Sequence, residues 1–156
     1  MWRLNQRDPK WAKLKIGNSP YTLGAKGCVT VNLSSLAQWY VSTFHNGKVV
    51  LPDELVKQLK YTATGLLYWK SIDDSELPFK FVYRYYKRDD IRIQNIMKST
   101  YNSCMLQVDN GKHWVVPVGY SRVFGYRIYD PYYSDVVYLN KRYGNGIQGF
   151  AEFTLK

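Results

Sequence analysis

Two cysteines and two histidines are all that this 156-residue chain offers of the side chains that most often hold metals or attack carbonyls. Such scarcity excludes a disulfide scaffold, which needs several pairs. It also argues against the common zinc centres, because no CxxC, HxxxH or HExxH spacing occurs. There is no Walker loop: Gly24-Ala25-Lys26-Gly27 lacks the Gly-Lys-Ser/Thr ending and a preceding strand. No GxSxG elbow is present either. The expectation is therefore chemistry without metal, nucleotide or other cofactor. Long apolar runs are missing as well. Met1–Lys10 carries no signal-peptide core, and no stretch reaches the roughly 20 apolar residues that span a bilayer. The sequence thus predicts a soluble chain, cytoplasmic or delivered as part of a larger assembly.

Aromatic residues and positive charge are plentiful instead. Fifteen Tyr and five Trp favour β-rich structure with amphipathic surfaces. A formal net charge of +10 admits an anionic partner, although charge speaks to association and not to chemistry. Folding signals run from Trp2 to Leu155, which predicts a single domain over residues 1–156.

Turn signals dominate residues 1–24, at Asp8-Pro9, Gly17-Asn18-Ser19-Pro20 and Gly24. After Cys28, Leu33, Leu36, Ala37, Tyr40, Val41 and Phe44 recur at helical spacing until Asn46-Gly47. A second helix is predicted at Pro52–Leu59, with Pro and acids in its first turn. The segment 65–75 is ambiguous. Beyond residue 78 the pattern becomes short β-type runs: Phe79–Tyr86, Cys104–Val108, Trp114–Tyr120, Tyr126–Tyr129, Val136–Leu139 and Phe150–Leu155, with a short helix opened by Asp89-Asp90. Helices first and an antiparallel sheet afterwards is an α+β layout.

Cys28 follows Gly27 at the predicted first turn of a helix, where unpaired N–H groups and the positive helix end favour a thiolate. Gly27 keeps the neighbouring backbone small, so a substrate carbonyl can approach. Cys104, inside a β-type run, reads as a buried small hydrophobe. A thiolate nucleophile needs a base, and the base needs an orienter. His113 opens one strand, beside the Asn110-Gly111-Lys112 turn, and Asp130 ends the next. If the two strands pair across Ser121–Gly125, both residues lie at one end of a hairpin, on strands about 4.8 Å apart. His45, before Asn46-Gly47, reads as a helix cap.

The stretch Gln6-Arg7-Asp8-Pro9-Lys10-Trp11, then Gly17, Thr22, Gly24 and Gly27-Cys28, resembles the opening signature of the bacteriocin-processing (double-glycine leader) peptidases and their soluble relatives, a papain-like branch. His113-Trp114-Val115-Val116-Pro117-Val118-Gly119 and Ile128-Tyr129-Asp130-Pro131 resemble the same family's His and Asp motifs. The likeness runs over residues 4–131, with a weakly marked middle from 46 to 100. It implies a papain-like fold of N-terminal helices packed on a C-terminal sheet, with Cys28 as nucleophile, His113 as base and acid, Asp130 as orienter and Gln6 as oxyanion donor. It implies a cysteine peptidase acting on a peptide or isopeptide bond. Nothing resembling the family's fused transporter is present, so specificity for a double-glycine site does not carry over.

A basic–aromatic patch interrupts the weak middle: Trp69, Tyr83, Tyr85 and Tyr86 with Lys80, Arg84, Lys87 and Arg88. It reads either as a solvated strand face or as a surface for something acidic. Two partners follow as expectations: a peptide or protein substrate, such as a peptidoglycan cross-bridge cut by a phage or secreted lysin, and an anionic polymer. A catalytically idle binding module using that patch is the alternative. Single-stranded nucleic acid is disfavoured, since the strands carry no RNP-like or OB-like pattern.

Overall fold

The computed structural model describes residues 3–156; the folding signal expected at Trp2 lies outside them. The lead-in is a chain of turns in which Trp11 is one anchor. The Trp11 indole N–H donates to the Asn5 carbonyl at 2.8 Å, and its ring packs with Ile16, Leu23 and Val56. A single helical turn, α1 (Leu23–Lys26), is capped by the Thr22 hydroxyl, which accepts from the Ala25 N–H. Gly27 then separates α1 from α2 (Cys28–Phe44).

Helix α2 begins at the cysteine and ends at His45, whose φ of 52° and N–H bond to the Val41 carbonyl close the helix. Its predicted apolar residues Leu33, Leu36, Ala37 and Tyr40 are buried. The intervening Asn32, Ser34, Ser35 and Gln38 are buried too, so the helix is wrapped on most sides and has little solvent face. Helix α3 (Pro52–Gln58) starts with Pro and carries Asp53 and Glu54 in its first turn, where the helix dipole favours them. The ambiguous segment contains a 3₁₀ turn at Trp69–Ile72.

Six strands follow: β1 (Phe79–Tyr85), β2 (Asn102–Val108), β3 (His113–Ser121), β4 (Gly125–Asp130), β5 (Asp135–Tyr138) and β6 (Gly149–Leu155). They form one sheet in the order β1-β6-β2-β3-β4-β5, and every neighbouring pair is antiparallel. The chain is α+β, as its layout suggests. Side chains alternate across the strands into two cores. On one face Met105, Trp114, Val116, Tyr129 and Phe153 pack with residues of α2 and α3. On the other, Leu106, Val115, Ile128 and Phe150 pack with Ile93 and Ile96 of α4 (Asp90–Lys98) and Leu139 of α5 (Leu139–Tyr143). The strand expected over Val136–Leu139 forms as β5 but stops at Tyr138: Leu139 opens α5, and its side chain is spent on the second core.

One irregularity positions the site. Strand β3 pairs with β4 at Gly119↔Arg127 and then at Pro117↔Ile128, which leaves Val118 as an extra residue. Proline suits this position because a bulge frees it from the need to donate to the ladder.

The run Gly144-Asn145-Gly146-Ile147-Gln148-Gly149 has G-x-G-x-x-G spacing. Here it joins α5 to β6, the reverse of the strand–loop–helix order in which that spacing cradles a phosphate.

Candidate functional site

Cys28, His113, Asp130 and Gln6 converge from four places in the chain. Cys28 is the first residue of α2 and only 6% exposed. The turn before it tolerates glycine alone: a Cβ on Gly27 would collide with the Leu23 carbonyl and Cα. One turn further along α2, Asn32 donates from Nδ2 to the Trp114 carbonyl at 2.9 Å. That bond joins the start of the helix to the residue after His113, and so fixes the thiol relative to the imidazole.

His113 Nε2 lies 2.9 Å from Asp130 Oδ1, and Asp130 is fully buried. A buried carboxylate needs donors on its remaining lone pairs. Oδ1 also accepts from the Tyr132 N–H at 3.0 Å. Oδ2 accepts from the Tyr143 hydroxyl at 2.5 Å and from Arg142 Nη1 at 3.1 Å. Burial by itself pushes Asp130 up, but the bonds from His113 and Tyr143 outweigh it, and its carboxyl is held below the ordinary range. Arg142 is in turn gripped by Asp135 through two 2.7 Å bonds.

Burial alone would lower the proton affinity of His113. Hydrogen bonding to Asp130 and to Cys28, together with the Asp130 charge, overrides it and pushes the imidazole up to about 9. With Nε2 committed to Asp130, Nδ1 is the nitrogen left for the thiol. Such an imidazole can hold a proton taken from sulfur and later hand it on.

Gln6 is buried and braced at two points. Its N–H donates to the Pro131 carbonyl at 2.8 Å, beside Asp130, and its side-chain Nε2 donates to the Gly24 carbonyl at 3.1 Å, in the turn before Cys28. One Nε2 hydrogen is therefore already committed. The second remains for another acceptor, while Oε1 is buried without a partner.

Sequence reasoning missed Arg142 and Tyr143. Their signal was faint, because a short polar helix after a strand gives no clue that two of its side chains turn back to an aspartate.

Other candidates fall away. His45 is exposed at the far end of the 17-residue α2, about 25 Å from Cys28. Cys104 is buried in the second core, and burial pushes its thiol up. Of the basic–aromatic patch, Tyr83, Arg84, Tyr85, Tyr86, Lys87 and Arg88 line one depression at the end of β1, and Trp69 lies apart from it. Trp69 packs against Phe81 and Trp114, and Tyr85 stacks on Phe150 at 4.2 Å. Tyr83 and Tyr86 are exposed, and Arg88 pairs with Asp90 at 2.9 Å. Among the described residues no group of His, Cys, Asp and Glu has the geometry of a metal site, and no helix is long and apolar enough to cross a membrane. In comparisons with protein-family models, with curated proteins and with solved structures, the chain matches none of them.

Proposed function

We propose that the chain is a cysteine peptidase of papain-like fold, hydrolysing a peptide or isopeptide bond through a thioester acyl-enzyme. The observation that carries this reading is the 2.9 Å bond from His113 Nε2 to the buried Asp130, made by an imidazole that also interacts with Cys28 at the start of α2. The order of the Gln6, Cys28, His113 and Asp130 motifs, which resembles that of the bacteriocin-processing peptidases, supports it.

In this mechanism the proton shared by Cys28 and His113 rests on the imidazole, and the sulfur attacks the scissile carbonyl as a thiolate. Negative charge moves to the carbonyl oxygen, which accepts from the backbone N–H of Cys28 and the uncommitted Nε2 hydrogen of Gln6. Each such donor contributes about 3–4 kcal/mol to the transition state. The tetrahedral adduct collapses, the C–N bond breaks, and the departing amine takes the proton from His113. Water then gives a proton to His113 and attacks the thioester. Collapse of that adduct releases the acid and restores the starting Cys28–His113 pair. Asp130 holds the imidazole in the required orientation throughout and stays ionised.

The substrate class that fits is a peptide, with a peptidoglycan cross-bridge as one version, cut by a module delivered with a larger machine. The test is incubation with peptide and cross-bridged muropeptide substrates, with mass spectrometry of the protein. Expected are cleavage products and an acyl adduct on Cys28, both lost in Cys28→Ala. Cleavage that persists at the same rate in Cys28→Ala overturns the reading.

One observation favours a second reading, an idle binding module. The Gln6 amide already donates to Gly24, as it would in a purely structural role. That reading requires Gln6→Glu and Cys28→Ala to leave partner binding intact with no turnover in the parent protein.

A further inference from the structure

We infer that Arg84 forms an anion-receiving subsite of the same cleft, taking the carboxylate of an acidic residue beside the bond that is cut. The inference rests on the peptidase reading for its substrate, but the ion-binding site itself stands on separate observations.

Arg84 lies near the end of β1, with its guanidinium carbon 4.6 Å from the Trp114 ring centre and 4.5 Å from that of Tyr86. Trp114 directly follows His113, shares a buried cluster with Cys28, and receives the Asn32 bond from α2. The guanidinium therefore sits on the face of the sheet where Trp114 and Cys28 share one buried cluster. Every acceptor it touches is neutral: the Tyr85 carbonyl, the Phe150 carbonyl at 3.5 Å, and Gln107 Oε1. A guanidinium has five N–H donors. Those bonds occupy both hydrogens of Nη1 and one of Nη2. The Nε hydrogen and the second Nη2 hydrogen are left, a pair suited to gripping a carboxylate through two parallel bonds.

No carboxylate of the protein does so. Arg88, Arg92 and Arg142 each pair with an acid, namely Asp90, Glu152 and both Asp130 and Asp135. Among the described residues Arg84 makes no ion pair, yet it is half-buried and held by three neutral acceptors. Burial weakens its hold on the proton, as it does for a cation lacking a counter-charge. The nearby lining of Tyr83, Tyr86, Lys87 and Arg88 includes one acid, Asp89, whose side chain is committed to the Arg92 N–H at 2.9 Å. Room for the guanidinium depends on Gly149, where a Cβ would strike Arg84 Nη1 and the Tyr85 carbonyl.

The experiment has two arms. In Cys28→Ser protein, the Arg84 Nε–H resonance is followed by NMR during titration with N-acetylglutamate and with N-acetylglutamine. A saturable shift with the acid alone is expected, absent in Arg84→Gln. An equal response to the amide, or none to the acid, overturns the subsite whether or not the protein cuts peptides. In protein with Cys28 intact, bromoacetyl-glutamate is compared with bromoacetyl-glutamine as a label for Cys28. A preference of about tenfold for the acidic probe is expected. Arg84→Gln should abolish that preference without changing the rate of the amide probe. An unchanged preference in Arg84→Gln overturns the assignment. If Cys28 resists both labels while the NMR shift persists, the peptidase reading fails and the anion site stands.

Discussion

His113 and Asp130 face each other because Val118 is one residue too many. From Val116↔Tyr129 the register continues to put Val115 opposite Asp130, so His113, two residues on, shares its face and reaches it diagonally. In an unbroken ladder from Ser121↔Gly125, Val116 would stand opposite Asp130, and His113 would point to the other face. The bulge converts a hairpin with the two residues at one end into a hairpin with the two residues in contact.

Reactivity separates the two thiols. Cys28 is expected to react with iodoacetamide at pH 6 at least tenfold faster than Cys104, whose thiol burial pushes up. Peptide mapping after short exposures reads the difference, and equal slow labelling of both cysteines would contradict it.

The pH profile follows from His113. Its folded value of about 9 lies above the ordinary 6.5, so the imidazole carries its proton through neutrality. Below about 6.5 the protonated pair contributes its full stability, and that contribution disappears as pH rises through about 9. Activity is expected to fall along an alkaline limb near 9, where the proton needed by the departing amine is lost. His113→Ala should remove that limb together with the activity. Urea unfolding at pH 6 and at pH 10 should show a larger loss of stability in the parent protein than in His113→Ala.

Tyr143 positions Asp130. Tyr143→Phe removes the 2.5 Å bond and leaves Oδ2 to Arg142 alone. A loss of about 1.5–3 kcal/mol in folding stability is expected from a bond to a charged group. The acid limb of kcat/KM should also move upward, because Asp130 then takes a proton more readily. A stability loss with an unmoved pH profile would reduce Tyr143 to a structural contact.

Asn32 clamps helix to strand. Asn32→Ala leaves the buried Trp114 carbonyl without that donor, at a cost of about 1–3 kcal/mol. The clamp spans the thiol and the imidazole, so the rate of Cys28 alkylation should fall as well. Gly27→Ala should be worse than its size suggests, since the added methyl meets backbone atoms of Leu23 that cannot rotate away.

Much of this architecture was legible in the chain. The 3.6-residue spacing of Leu33, Leu36, Tyr40 and Phe44 marks α2, and Gly27 before it marks where the helix begins, because these signals are local. The turn residues Asn110-Gly111 and Gly125 delimit β3, and with it the end of the hairpin where His113 and Asp130 meet. Leu139 reads as a strand residue in the sequence because an apolar side chain after Val136 and Val137 fits either period.

What the sequence by itself determined was the set of chemical groups: one cysteine at a helix start, and one histidine and one aspartate at strand ends. Only the tertiary structure decided which face each group occupies, through the extra residue at Val118, and which partners keep Asp130 ionised, through Arg142 and Tyr143 turning back from α5. It also decided that Arg84, one basic residue among several in the sequence, has no acid beside it. The physical reason is common to all three. Residue type and local period depend on neighbours in the chain, whereas strand register, burial and charge pairing depend on residues that meet only when the sheet has closed.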